Sequence, residues 1–167
     1  TIEERYIGNA NIFSKKERDA LLKSDVAKSA PQPKFLCDKF YDEVANKDDV
    51  TKMQYLDINM WLMGDILLKA DKTSMANSLE LRVPFLDKEV FKVASSLPTH
   101  LRCNKENTKY AMRKAAERHL PIETAQKEKL GFPVPTRVWL RDEKYYNVVK
   151  KKFTGKTAEK FFNTDAL

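Results

Sequence analysis

The sequence predicts an all-α fold, on the basis of its low glycine content and the spacing of its apolar residues. Four glycines occur among 167 residues, whereas a doubly wound nucleotide-binding sheet needs glycine at its strand-to-helix turns. Apolar residues recur at intervals of three and four, as on an amphipathic helix, and no convincing run alternates as a strand would. The length suits one domain and is short for two. We therefore expect residues 1–167 to form a single helical domain.

The first predicted helices are set by a capping box and by prolines. Ser14 and Glu17 have the spacing of a capping box that opens a helix through Leu22. The stretch 29–33 contains two prolines, which push their predecessors out of helical geometry and end that region. A second helix is expected over residues 35–45.

The longest periodic region follows and predicts the core. Thr51 and Gln54 form a second candidate capping box. Five apolar residues then recur at helical spacing, and we interpret them as core in preference to a ligand groove: Met53, Leu56, Met60, Met63 and Leu67. Gly64 marks a candidate break within this pattern.

The remaining elements are predicted from caps and prolines. The helical pattern from Asp71 is expected to stop at Val83–Pro84, and Asp87 to cap a helix that ends before Pro98. The further expected elements are a helix capped by Asn107 or Thr108, an extended loop over 131–135 and one or two helices within 141–162.

Charge and composition narrow the classes of partner. The net charge is +7, from 31 Lys and Arg against 24 Asp and Glu, which suits nucleic acid, an anionic membrane or a nucleotide. The basic residues are interleaved with acids, and the one tight run, Lys150–Lys152, is interpreted as a solvated helix face. We expect no nucleic-acid partner. No apolar run approaches the roughly 18 residues of a membrane span, so no membrane partner is expected.

The cysteines and histidines predict neither a disulfide nor a metal site. Cys37 and Cys103 stand far apart without metal-ligand spacing, which favours reduced thiols in the cytoplasm. His100 and His119 have no partner in a recognisable catalytic motif. The chain begins at Thr1 without an initiator Met, and we expect it to be a fragment of a longer protein.

Two stretches are specific enough to name a family. The first includes Gly64–Lys72, Ser74–Ala76 and Leu79–Asp87, and the second is Lys129–Pro135 with Trp139–Arg141 after it. Both resemble the synthetase domain of glutamine-dependent asparagine synthetases, and the resemblance covers nearly the whole chain. It implies that the chain is the helical C-terminal subdomain of an α/β synthetase domain of the adenine-nucleotide α-hydrolase-like type.

The resemblance also implies an activity, with ATP and Mg²⁺ as its cofactors. Such enzymes activate the β-carboxylate of aspartate as an acyl-adenylate and amidate it with ammonia from an N-terminal glutaminase domain. Their ATP-binding loops, of SGGxDS and SGEGxDE type, are absent from this sequence, whose glycines each stand alone. A phosphate cradle needs several backbone N–H groups turned to one anion. We therefore expect no nucleotide on the isolated chain and a partner in the missing N-terminal part, with a homo-oligomer left open.

The resemblance assigns candidate site residues. Lys129 matches a family lysine implicated at the phosphates of ATP and is the candidate catalytic residue; its alternative is an exposed lysine on a turn. Asp65 and Lys69 match residues that border the active site, and their i, i+4 spacing also allows an ordinary surface ion pair. Asp71 is either an orienting acid near a cation or a buried structural acid.

The Pro84 turn is interpreted structurally. Glu80 and Arg82 are expected to pair, and Phe85 and Leu86 to anchor the core. Side chains facing a missing nucleotide-binding part would be exposed, with an apolar patch between Met53 and Leu67 or near Phe132. The alternatives are a related amide- or lactam-forming synthetase and a basic helical binding module.

Overall fold

The computed structural model describes residues 1–9, 12–128, 131 and 134–166, and the regular secondary structure of these residues is helical, without any strand. Among these residues, Leu22 and Phe162 form an isolated antiparallel β-bridge. The predicted all-α class is therefore confirmed. The α-helices of the described residues are, in chain order, α1 Ile2–Arg5, α2 Lys15–Leu21, α3 Ser24–Ser29, α4 Pro33–Glu43, α5 Asp49–Asp57, α6 Leu68–Met75, α7 Lys88–Ser96, α8 Thr99–Arg102, α9 Tyr110–Ala116, α10 Ile122–Ala125, α11 Thr136–Trp139 and α12 Glu143–Phe153.

Several helices begin where local sequence chemistry predicts. The Ser14 hydroxyl accepts from the Glu17 amide (3.2 Å), and the Glu17 carboxylate accepts from the Ser14 amide (2.7 Å), so the capping box that opens α2 is confirmed. The Asp87 carboxylate accepts from the Glu89 amide at 2.8 Å and caps α7, also as predicted. These bonds satisfy amide groups that have no partner within the first helical turn.

Two predicted caps are wrong. Asp48, three residues before Thr51, caps α5, because its carboxylate accepts from both the amide (3.2 Å) and the hydroxyl (2.6 Å) of Thr51. Lys109 occupies the cap position of α9 without a side-chain bond. Asn107 instead accepts from the Lys109 amide at 2.8 Å, within the preceding turn.

The break predicted at Gly64 is also wrong. Helix α5, a π-helical segment at Ile58–Leu67 and α6 follow one another without an interruption. Nothing lies within 4 Å of the position that a Cβ at Gly64 would occupy, so no close packing demands glycine there.

The helix that contains Asp71 ends earlier than predicted. It stops at Met75 instead of continuing toward Val83, and Ser78 takes the left-handed conformation with φ 54°. The Leu79 amide then donates to the Ser74 carbonyl at 3.0 Å. Such a left-handed residue commonly terminates a helix, and a 3₁₀ turn at Pro84–Leu86 follows.

The chain divides into two compact units by its internal contacts. The first consists of Thr1–Ile2 with Phe40–Lys129, and the second of Glu3–Lys39 with Leu130–Leu167. The predicted single domain stays a prediction. In the second unit, Asn163 binds the end of α2, since its side-chain amide donates to the carbonyls of Ala20 (3.0 Å) and Leu22 (3.1 Å). Sequence spacing did not indicate this link across more than 140 residues.

Few side chains are buried. Among the described residues the buried apolar side chains are Cys37, Tyr41, Val44, Leu56, Ala125 and Ala158. The accessible surface is 14079 Å², whereas two separate compact bodies that together have this mass of 19.4 kDa would expose about 10,000 Å². The two units together therefore leave much more surface open than two self-contained domains of this mass would.

The Met and Leu stripe is buried only in part. Leu56 is fully buried at 0% exposure, as its predicted core role requires. Met63, however, is 59% exposed, so its assignment to the core is wrong within this chain.

Candidate functional site

Asp65 and Lys69 form the ion pair that their spacing predicts. The Nζ atom of Lys69 lies 3.6 Å from an Asp65 carboxylate oxygen, and the two side chains are 61% and 47% exposed. Asp65 belongs to the π-helical segment and Lys69 to α6. A pair this open to solvent contributes little to stability, so both charges can meet a ligand at low cost.

Asp71 lies two residues after Lys69 and is exposed. Its backbone carbonyl accepts from the Ser74 hydroxyl at 3.1 Å. The interpretation of Asp71 as a buried structural acid is therefore wrong in this chain. Its role as an orienting acid stays a prediction.

Lys129, the predicted catalytic residue, lies outside the described residues, as does Phe132. The neighbouring Gly131 has φ +68°, a left-handed conformation that favours glycine. The role of Lys129 at ATP phosphates stays a prediction.

Glu80 and Arg82 form the predicted pair. The Arg82 guanidinium donates through Nε at 2.9 Å and lies within 2.8 Å of the same carboxylate oxygen through Nη2. Their side chains are highly exposed, so the pair is weak despite its geometry.

The described residues fit one part of a nucleotide site. Lys69 offers a cation that solvent reaches, and such a cation can contact phosphate oxygens. A cradle of several backbone N–H groups requires clustered glycines, which the sequence lacks. Within the described ranges no group of three or more His, Cys, Asp or Glu side chains could hold a metal ion. The described residues therefore do not by themselves provide a complete site for ATP and Mg²⁺.

A polar cluster around Arg102, which sequence patterns did not predict, joins α8 to α5. The Arg102 guanidinium donates to Gln54 at 2.5 Å, to Thr51 at 2.7 Å and to Thr99 at 2.9 Å, and it lies 3.7 Å from the Asp48 carboxylate. We call these five residues the Arg102 cluster. Hydrogen bonds from Thr51, together with the charge of Arg102, hold the pKa of Asp48 below its usual range.

A second link joins α9 to α10. Arg113 donates through Nη1 to the carbonyl of Ala125 at 3.1 Å. The Glu117 carboxylate accepts from Lys114 at 3.1 Å and from Gln126 at 3.3 Å, and these two bonds lower its pKa. A cavity of about 280 Å³ lies here, and its lining residues are Arg113, Lys114, Glu117 and Gln126, together with Glu106, Asn107 and Tyr110.

A run of exposed apolar side chains extends from the end of α6 into α7, and a second run occurs within residues 134–153. We call residues 75–93 the Met75–Val93 segment. Its exposed large apolar residues are Met75, Leu79, Leu81, Val83, Phe85, Leu86, Val90, Phe91 and Val93. The predicted core role of Phe85 and Leu86 is wrong here, because they are 68% and 41% exposed. An exposed patch was expected between Met53 and Leu67 or near Phe132. The first range contains one exposed large apolar residue, Met63, whereas several follow Phe132 in sequence: Val134, Val138, Trp139 and Leu140.

No helix of the described residues is both long and apolar enough to cross a membrane. Cys37 and Cys103 are free thiols.

Comparison with known proteins identifies the family of this chain. The family model described as asparagine synthase matches residues 1–167. "Asparagine synthetase [glutamine-hydrolyzing] 1" of Bacillus subtilis is 49% identical over 150 residues, which cover 85% of this chain and 22% of that protein. A Mycobacterium tuberculosis protein, whose name carries the same designation in provisional form, is 49% identical over 149 residues, covering 84% of this chain and 21% of that protein.

A more distant relative matches only part of the chain. "Asparagine synthetase [glutamine-hydrolyzing] 3" of Bacillus subtilis is 33% identical over 86 residues, 51% of this chain and 14% of that protein. No solved structure gives a significant match. The chain thus spans about a fifth of the length of the first two relatives.

Proposed function

This chain belongs to the asparagine synthase family, and we propose on that premise that it is the C-terminal helical part of an ATP-dependent, glutamine-hydrolysing asparagine synthetase. The observation that carries the proposal is the 49% identity to a relative of that name across 85% of the chain. The longer protein is proposed to activate the side-chain carboxylate of aspartate with ATP and Mg²⁺ and to amidate it with ammonia from glutamine. The free thiols of Cys37 and Cys103 support a cytoplasmic location.

The chain's proposed part in this chemistry is electrostatic. Activation of a carboxylate by ATP builds negative charge on the phosphate oxygens, and a cation beside them stabilises the transition state. We assign this role to Lys129. Lys69 is a second cation for the nucleotide, held on its helix face by Asp65, and Asp71 is an orienting acid beside it. The solvent-exposed positions of Asp65, Lys69 and Asp71 support this assignment.

The partner of this chain is proposed to be the remainder of the same enzyme. Relatives are much longer than this chain, and the Met75–Val93 segment exposes nine large apolar side chains. Apolar surface of this extent is usually covered in a working protein. We propose that the nucleotide-binding part covers it, which places the Glu80–Arg82 pair near that boundary.

Pyrophosphate release by the longer protein tests the activity. It is measured with ATP, Mg²⁺, aspartate and glutamine, for wild type and for Lys129→Ala. We expect aspartate-dependent release that falls by about 10²–10³-fold in the variant, the loss typical of removing one contact to developing charge. Lys127→Ala, two residues away, is the matched control and should retain the rate.

The alternatives give different results. A folded Lys129→Ala variant with an unchanged rate would show that this lysine is not at the phosphates. Release that depends on another carboxylate would indicate a related amide- or lactam-forming synthetase. DNA binding that falls steeply with salt, without pyrophosphate release, would indicate a basic binding module.

A further inference from the structure

The cavity beside α9 has a polar lining that the proposed function does not use. Its volume is about 280 Å³, and its lining residues all belong to the first compact unit. Sites for drug-sized ligands usually have volumes of about 300–1,000 Å³, so this cavity suits a smaller molecule. Asp65, Lys69 and Asp71, the described candidates for the nucleotide site, do not line it.

Two of the four charged groups that line the cavity neutralise each other. Lys114 and Glu117 form an ion pair at 3.1 Å, and the Glu117 carboxylate also accepts from the side-chain amide of Gln126 at 3.3 Å. The other two, Glu106 and Arg113, have opposite charges. Neither forms an ion pair with any residue that the structure describes, and the hydrogen bond of Glu106 is made by its backbone amide. One negative and one positive group are therefore available to a ligand.

The Arg113 guanidinium is bonded on one side. Its Nη1 atom donates to the carbonyl of Ala125 at 3.1 Å. The buried Nε atom has no hydrogen-bond partner within the described part of the chain, and neither does Nη2. Nε and Nη2 share the edge of a guanidinium that binds a carboxylate through two parallel hydrogen bonds. Because a buried donor without an acceptor is costly, a carboxylate on this edge would satisfy a group that the described residues leave unpaired.

Two neutral groups add hydrogen-bonding capacity to the lining. The Tyr110 hydroxyl and the side-chain nitrogen of Asn107 form no hydrogen bond with the described residues, whereas the Asn107 side-chain oxygen accepts from the Lys109 amide. A hydroxyl both donates and accepts, and an amide nitrogen donates. The lining therefore offers partners to a polar side chain as well as to charged groups.

The unpaired charges decide between classes of ligand. A phosphate or another simple anion would be attracted by Arg113 but repelled by Glu106 and Glu117, and a simple amine would meet the reverse. A molecule with both a carboxylate and an ammonium group matches both charges. We propose that this cavity binds a small zwitterionic amino acid, with its carboxylate on Arg113 and its ammonium group on Glu106. The site is separate from the proposed nucleotide site and does not depend on it.

Calorimetric titration of the full-length protein with L-serine tests this site. Serine is a zwitterion and takes no part in the proposed reaction. Lactate, which lacks the ammonium group, and ethanolamine, which lacks the carboxylate, are its matched analogues. We expect saturable binding of serine and a Kd at least about 10-fold higher for each analogue, because each loses one charge-assisted contact.

Two variants assign the contacts. Glu106→Gln, at an exposed residue, should weaken serine binding by about 10-fold or more without weakening that of lactate, which has no ammonium group. Arg113→Lys keeps the charge but loses the paired donors, so it should weaken both serine and lactate. Glu123→Gln is the matched control, since Glu123 is an exposed acid on α10 that does not line the cavity. It should bind serine as the wild type does.

Three results would overturn the proposal. The first is the absence of saturable serine binding, and the second is equal affinity for serine and lactate. The third is unchanged serine binding by Glu106→Gln, which would place the amino acid elsewhere in the protein. Titration measures binding alone, so a failure of the proposed reaction in the pyrophosphate assay would leave this test intact.

Discussion

The Arg102 cluster and the Met75–Val93 segment lie in the same compact unit. They differ in whether their side chains find partners within this chain. Arg102 finds three hydrogen-bond acceptors within the chain, and Leu56, on the helix that it binds, is fully buried. The Met75–Val93 segment leaves nine large apolar side chains exposed. Because burial of apolar surface is the main stabilising term in folding, the first region is stabilised by contacts within this chain. The buried Nε atom of Arg102 has no hydrogen-bond partner among the described residues, so the cluster is not fully satisfied. We propose that the second region is covered by a part of the longer protein.

Phe85 gives the largest expected difference in stability between the full-length protein and the 1–167 chain. In the full-length protein we expect Phe85→Ala to destabilise by about 3–5 kcal/mol, the cost of removing a phenyl ring from a core. In the 1–167 chain the same change should be nearly neutral, because the ring is already 68% exposed. Urea unfolding of both proteins measures the two values. Equal losses of unfolding free energy in the two proteins would contradict the proposal that the Met75–Val93 segment is covered in the full-length protein.

Leu56 tests the self-sufficient region. Leu56→Ala should lower the free energy of unfolding of the 1–167 chain by about 2–5 kcal/mol, because it leaves a cavity at a fully buried position. Met63→Ala is the control, because Met63 lies in the π-helical segment that continues α5 but is 59% exposed. It should change the free energy of unfolding only slightly. A similar loss for both would show that this helix has no distinct core face.

Arg102 tests the polar side of the same region. Arg102→Met should cost about 1.5–3 kcal/mol, since it removes charge-assisted hydrogen bonds to partly buried partners. Arg82→Met removes an arginine that is 85% exposed and should change stability by less than about 0.5 kcal/mol. Denaturant midpoints of the two variants give the comparison. Equal midpoints would mean that the Arg102 cluster stabilises nothing.

Asp48 gives the smallest effect and a pH signature. The Thr51 hydroxyl and amide, and the Arg102 charge, lower its pKa in the folded state. Its contribution is therefore complete above the unfolded pKa of about 3.9 and is lost as pH falls through the lower folded value. The stability difference between wild type and Asp48→Asn should shrink below about pH 4. Because the carboxylate is 49% exposed, we expect less than about 1 kcal/mol.

Local signals predicted much of the fold, because they depend on neighbours in sequence. The Ser14–Glu17 box and the Asp87 cap were read correctly, since each cap and its amide lie within three residues. The prediction failed where two local signals competed. Asp48 and Thr51 are both good caps, and the backbone path, in which the helix begins at Asp49, decides that Asp48 is the cap.

Long-range contacts could not be predicted from the sequence alone. Arg102 binds Thr51 across 51 positions and Arg113 binds Ala125 across 12, and no periodicity encodes either pair. The Asp65–Lys69 pair was predictable because i, i+4 residues share a helix face. Phe85 and Leu86 were assigned to a core from their apolar character, which does not indicate whether the covering surface belongs to the same chain.

Oxidative footprinting of the full-length protein tests whether another part of the enzyme covers the Met75–Val93 segment. Hydroxyl radicals modify aromatic side chains according to their exposure, so Phe85 and Phe91 can be compared with the same residues in a free peptide of residues 79–93. We expect strong protection of both rings in the folded protein. Modification as fast as in the peptide would mean that the Met75–Val93 segment is a true outer surface and that no other part of the enzyme covers it.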